Sequence, residues 1–191
     1  MDEELRSLTE RLRQESQGTA AYHRLLATGD HDELAEVLTA AGQPLWAREL
    51  AAFRLGTAGD RRAFETLVLL LNHRDPPRCA SAAYALSRLQ DPRTARAAAA
   101  LATNELRVAY ALHPVRLLVE LRAPESVPAL ITTLERRLRP HDPYRKVALA
   151  CVDGLGCLGD TRARRVLNEA LAHPTLAEAA VQALARIPRP R

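Results

Sequence analysis

Ala51-Ala52-Phe53-Arg54-Leu55-Gly56-Thr57-Ala58-Gly59-Asp60-Arg61-Arg62-Ala63 is the stretch that decides the fold. Alanine and leucine favour helix, and paired small residues let one helix approach another closely. Gly59 suits the left-handed residue that ends a helix, and Asp60 suits the position that starts the next. The phrase returns as Ala82-Ala83-Tyr84-Ala85-Leu86-Ser87-Arg88-Leu89-Gln90-Asp91-Pro92-Arg93, and again around Leu155-Gly156-Cys157-Leu158-Gly159-Asp160-Thr161-Arg162. A helix-turn-helix phrase that recurs marks a helical repeat protein.

Composition agrees. The 191 residues are 47% hydrophobic but only 4% aromatic, and alanine, leucine and arginine dominate, which favours helix over sheet. The net charge of +4 is uneven: residues 1–42 carry nine acids against four arginines, and the remainder carries 23 basic against 14 acidic residues. Such asymmetry permits a basic face toward an anionic partner. Cys79, Cys151 and Cys157 fall within helical pattern without a CxxC pair, as small buried hydrophobes in a reducing compartment would. The chain opens Met1-Asp2-Glu3-Glu4, unlike a secretory leader, and no apolar run approaches the ~20 residues of a membrane span. A cytoplasmic, bacterial protein is the expectation.

Leu5, Leu8 and Leu12 at helical spacing predict a first helix from Asp2 to about Gln17, and Tyr22, Leu25 and Leu26 a short second one. Residues 1–30 are thus expected to form a helical cap that shields the first repeat. The array then spans 31–187, with helix pairs at about 31–57, 60–89, 91–122, 124–158 and 160–187. Pro188-Arg189-Pro190-Arg191 forms a tail, 188–191, that cannot continue a helix. The leucines Leu55, Leu86, Leu118, Leu155 and Leu184 recur at offsets of 31, 32, 37 and 29 residues, the length of a helix pair with short turns. Prolines mark the joints, except Pro114, expected to kink the second helix of the third pair, and Pro128, near the start of the next.

Arg48…Ala51-Ala52…Leu55-Gly56…Gly59-Asp60…Arg62-Ala63…Leu67 and Leu155-Gly156-Cys157-Leu158-Gly159-Asp160-Thr161-Arg162-Ala163 resemble the HEAT family, in the short form known as PBS-lyase-like HEAT repeats. The third unit departs from the pattern, with Glu120-Leu121-Arg122-Ala123-Pro124 in place of the Gly-Asp turn. The resemblance covers about 31–187 and implies an all-α, right-handed α-solenoid of about five HEAT-like helix pairs behind the N-terminal cap. It says little about function, since the family spans scaffolds, lyase subunits and a few enzymes.

Seven residues before each anchor leucine, a helical count places positions 0, +3, +4 and +7 in the core and +2, +5 and +9 on another face. The resemblance implies that this second face lines the concave side. Its +2 column holds Leu50, Ser81, His113, Ala150 and Ala179. The columns at +5 and +9 include Phe53, Tyr84, Arg88, Arg116, Glu120, Asp153 and Gln182, which do not repeat as the core does. An aromatic end grading into charges suits a protein or peptide partner. Separately, the loop 136–146 carries Arg136, Arg137, Arg139, Arg145 and Lys146 against one acid, with Arg162, Arg164 and Arg165 soon after. That cluster is the alternative, an anionic or nucleic-acid partner held by Arg136, Arg137, Arg139, Arg145, Lys146, Arg162 and Arg165.

Familiar catalytic signatures (HExxH, GxSxG, a Walker A loop, GxGxxG) do not occur. His73 and His141 neighbour carboxylates at helix ends, where dipole and capping explain them without a metal. The expectation is a non-enzymatic adaptor without cofactor or metal, binding a protein or peptide. Nucleic-acid binding comes second, and a lyase or DNA-glycosylase activity a distant third. Partner identity and oligomeric state are not written in the sequence.

Overall fold

The computed structural model describes residues 3–188, and these form helices and no strand. Asp2, where the first helix was expected to begin, and Arg189, Pro190 and Arg191 of the tail lie outside the described residues. The helices are α1 (Glu3–Glu15), α2 (Ala20–Ala27), α3 (His31–Thr39), α4 (Leu45–Thr57), α5 (Phe64–Leu71), α6 (Pro76–Leu89), α7 (Thr94–Ala102), α8 (Leu112–Leu121), α9 (Ser126–Arg137), α10 (Arg145–Leu158), α11 (Arg164–Ala170) and α12 (Ala177–Arg186). They divide into two compact units, Met1–Thr94 and Ala95–Arg191.

In the first unit α3 packs on α4, α5 on α6, and α4 on α6. The residues that permit this are small. Ala51 and Ala52 are fully buried, and a Cβ added to Gly56 would stand 2.7 Å from Leu67 Cδ1 and 3.1 Å from Ala85 Cβ. In the second unit α10 packs on α8, α9 and α12, and α11 on α12. There Gly156 does the work of Gly56: a Cβ would lie 2.7 Å from Ala183 Cα. Side chains at the anchor positions Leu55, Leu86, Leu118 and Leu155 fill the two cores.

Each Gly-Asp phrase is a turn with a defined job. Gly59 and Gly159 take positive φ values of 80° and 70°, which glycine adopts without Cβ strain. The aspartate that follows accepts the amide two residues on, Asp60 from Arg62 at 3.1 Å and Asp160 from Arg162 at 2.8 Å. That bond caps the short 3-10 turn leading into α5 or α11. The arginine closes back on the same carboxylate. Asp91 and Arg93 repeat the arrangement. The turn persists even without glycine, because Gln90 and Arg122 adopt φ of 52° and 50°. The divergent third unit therefore keeps the left-handed residue, at Arg122, but not the aspartate cap: there the Ser126 hydroxyl accepts from the Ala123 amide at 3.1 Å.

Two expectations change. Pro114 does not kink a long helix: residues 105–110 form a 3-10 stretch, and α8 starts afresh at Leu112. This puts Pro114 in the first turn of α8, where a missing N–H disturbs little. The two N-terminal helices, expected to shield the first repeat, also reach beyond it. α1 packs on both α4 and α6, and α2 on α4. Leu8 and Leu12 of α1 and Tyr22 of α2 are buried, and the Tyr22 hydroxyl donates to the Thr9 carbonyl at 2.8 Å.

Candidate functional site

The outward columns meet different fates in the two units. In the first, Leu50 and Phe53 are 0% and 2% exposed. Phe53 stacks on Tyr84 with centroids 5.7 Å apart and planes 8° from parallel, and the Arg88 guanidinium lies 3.5 Å from the Tyr84 centroid. Phe53 therefore belongs to the core and cannot meet a partner, a correction to the expected open face: its ring is covered by Tyr84 of α6, and α1 and α2 both pack on α4, the helix that carries it. Tyr84 is half-buried and Arg88 exposed.

Beneath α1 lies a charged cluster that sequence reasoning missed. Glu49 is 1% exposed and binds the guanidinium groups of Arg11 from α1 and Arg78 from α6. The Ser81 hydroxyl donates to Glu49 Oε1 at 3.1 Å. Arg78 also reaches Glu15 at 2.5 Å and Asp75 at 3.4 Å, and Arg11 reaches Glu15 at 3.1 Å. The Arg78 and Arg11 partners outweigh desolvation and hold the Glu15 carboxyl below the ordinary range. The cluster ties α1 to α4 and α6. Glu49 stands between helix-facing positions in an apolar phrase, and nothing in one sequence says that α1 comes to meet it.

In the second unit the same columns stay open. Between α8 and α10 runs a groove of about 580 Å³ lined by Leu112, Arg116, Val119, Lys146, Leu149, Ala150, Asp153, Gly154 and Cys157. Arg116 and Asp153, expected on this face, are both there and both exposed. Glu120 and Gln182 are exposed but outside the lining. The groove has apolar walls, two cations, one carboxylate and a thiol. His113, three residues before Arg116, is held below the ordinary histidine range by burial and then by Arg116, so it adds little positive charge near neutrality. Cys157 departs from the expected buried thiol: it is exposed, with the Arg186 guanidinium 3.7 Å from its sulfur. Cys151, one helical face away, is buried, and burial pushes its thiol far above the ordinary range. Gly154 lets α8 and α10 approach closely at the floor of the groove, because a Cβ there would collide with Val119 Cγ2.

The basic cluster is largely spent on internal pairs. Arg136 pairs with Glu105 at 3.0 Å and donates to the Thr103 carbonyl at 2.6 Å, and Arg137 pairs with Asp142 at 3.0 Å. Arg162 holds Asp160, and Arg165 holds Glu135 and Glu169. The last belongs to a ladder between successive first helices, Asp32–Arg62, Glu65–Arg93 and Glu135–Arg165. Arg139, Arg145 and Lys146 remain exposed without an acidic partner among the described residues. The sequence counted charge but could not see the pairing. Among the described residues no helix is long and apolar enough to cross a membrane.

Helix pairs stacked through small residues, with Gly-Asp turns between them, define an all-α protein of HEAT-like helical repeats. No family model and no curated protein matches the chain. Among solved structures it is similar to the complex of CpcE and CpcF of phycocyanin lyase from Nostoc sp. PCC7120, with a TM-score of 0.58 and 23% identity over 84% of this chain. The chain spans 65% of the length of that one. This likeness overturns the expectation of a non-enzymatic adaptor, because the fold shared is one found in a lyase complex. Helical repeats without a familiar catalytic motif are thus compatible with enzyme chemistry.

Proposed function

We propose that the chain is a lyase-type subunit that holds a bilin-like chromophore in the groove between α8 and α10, acting with a protein partner. The observation that carries this reading is the groove's make-up: Arg116 from α8 and Lys146 and Asp153 from α10 share the lining with the apolar side chains Leu112, Val119, Leu149 and Ala150. A linear tetrapyrrole is flat and largely apolar, carries carboxylate side chains and presents pyrrole N–H groups. Leu112, Val119, Leu149 and Ala150 take its ring faces, Arg116 and Lys146 its carboxylates, and Asp153 accepts from its N–H groups. Cys157 places an accessible thiol in the same lining. The fold supports the reading, since the similar structure is a phycocyanin lyase made of two different chains. A second lyase subunit is accordingly the partner we expect.

Biliverdin titrated into the purified protein, followed by visible absorbance and induced circular dichroism, tests the proposal. Saturable binding is expected, weakened at least tenfold, or about 1.4 kcal/mol, by Arg116→Glu with Lys146→Glu. If the folded double variant binds as the parent does, or the parent does not bind, the reading is wrong.

A further inference from the structure

A second cleft of the same unit shares no lining residue with the groove. The loop 138–144, between α9 and α10, and the turn 171–176, between α11 and α12, enclose about 370 Å³, within the range of small-molecule sites. This loop supplies the residues that lengthen the 37-residue offset. Its charged lining is Arg137, Arg139 and Arg145, with His141 and His173, against the single acid Asp142.

That acid is fully engaged. Asp142 pairs with Arg137 at 3.0 Å, the two side chains 12% and 8% exposed, and its other oxygen accepts the Tyr144 amide at 2.9 Å. The pair forms a mostly buried part of the wall and cancels its own charge. Arg139 and Arg145 are left on the cleft without an acidic partner among the described residues, so its lining carries an uncompensated positive charge. Thr175 adds a hydroxyl, and His141 and His173 add imidazole donors. α10 and α12 also begin at this cleft, and neither Tyr144 nor Leu176 caps them with a side-chain acceptor.

The geometry points to a binding site for a small phosphate-bearing molecule, held by Arg139 and Arg145. Guanidinium forks suit phosphate oxygens, and donors arriving from several directions suit a tetrahedral anion. A nucleic-acid strand fits less well. It needs a basic track along its backbone, and Arg136, Arg162 and Arg165, which would continue one, are bound to acids. The site is independent of the chromophore groove and stands whether or not that reading does.

The test is an amide-shift titration with inorganic phosphate and pyrophosphate, with sodium chloride and acetate at matched ionic strength as controls. Saturable shifts confined to residues 138–145 and 171–176 are expected, with pyrophosphate binding in the millimolar range or tighter. Arg139→Gln with Arg145→Gln should weaken binding at least tenfold at unchanged helicity. Equal shifts with chloride, equal affinity for acetate, or a double variant that binds as the parent does would overturn the assignment.

Discussion

Asp60 shows how a single side chain sets a turn. It caps the 3-10 turn through the Arg62 amide and grips the Arg62 guanidinium, and the latter hydrogen bond, acting first and against desolvation, lowers its carboxyl from 3.8 to about 2. Asp91 and Asp160 are lowered for the same reason, by Arg93 and Arg162. A folded-state value below the unfolded one means that the stabilisation is present above the ordinary carboxylate range. It is lost as pH falls through the folded value. Asp60→Ala is expected to cost about 1 kcal/mol in urea unfolding near neutrality. The gap between variant and parent should close between about pH 4 and pH 2, as the parent's own carboxylate is protonated. A gap that stays constant over that window would show that the charge plays no part. Gly59 was recognisable in the sequence as a turn residue. Gln90 and Arg122 in the same conformation were not, since neither residue type advertises a positive φ.

At the scale of elements, α1 is the informative helix. Its leucine spacing identified it as a helix, and the expectation was that it shields the first repeat. Its docking on α4 and α6 depends on a bargain between distant residues: Arg11 and Glu15 from α1, Glu49 from α4, Arg78 and Ser81 from α6. Removing one member of a buried ion cluster leaves the others uncompensated. Glu49→Ala is therefore expected to cost about 3–5 kcal/mol in chemical denaturation. Replacing Glu49 and Arg78 together by leucine and methionine should cost much less than the sum of the single changes, because no buried charge is then orphaned. Additive costs would mean that the cluster is not the fastening. The exposed ladder Asp32–Arg62, Glu65–Arg93 and Glu135–Arg165 has the same chemistry but sits in water, where such pairs contribute little.

For the whole molecule, both proposed sites fall in one unit. The groove between α8 and α10 and the phosphate cleft both lie within Ala95–Arg191, whereas α1 and α2 pack on the comparable helices of the first unit. Hydrogen exchange with biliverdin bound should accordingly show new protection in α8 and α10 and none in α4 or α6. Protection centred on α4 and α6 would place the chromophore elsewhere and contradict the proposed function. The units differ in what covers them rather than in how they are built, since Gly56 and Gly156 permit the same close approach in each.

By itself the sequence determined the all-helical class, the helix-pair repeat and its period, and the Gly-Asp turns. These follow from local propensity, from 3.6-residue spacing and from the few residue types that tolerate a left-handed turn. Only the tertiary structure decided which repeating columns are open. Arg116 and Asp153 were legible as outward positions and remain so; Phe53 occupied the same column and is buried, because exposure depends on what packs over a face. Which members of the basic cluster stay uncompensated was decided in the same way. A charge is read from one residue, but the acids that compensate Arg165 and Arg136, Glu135 and Glu105, lie some 30 residues away and are brought near only by the fold.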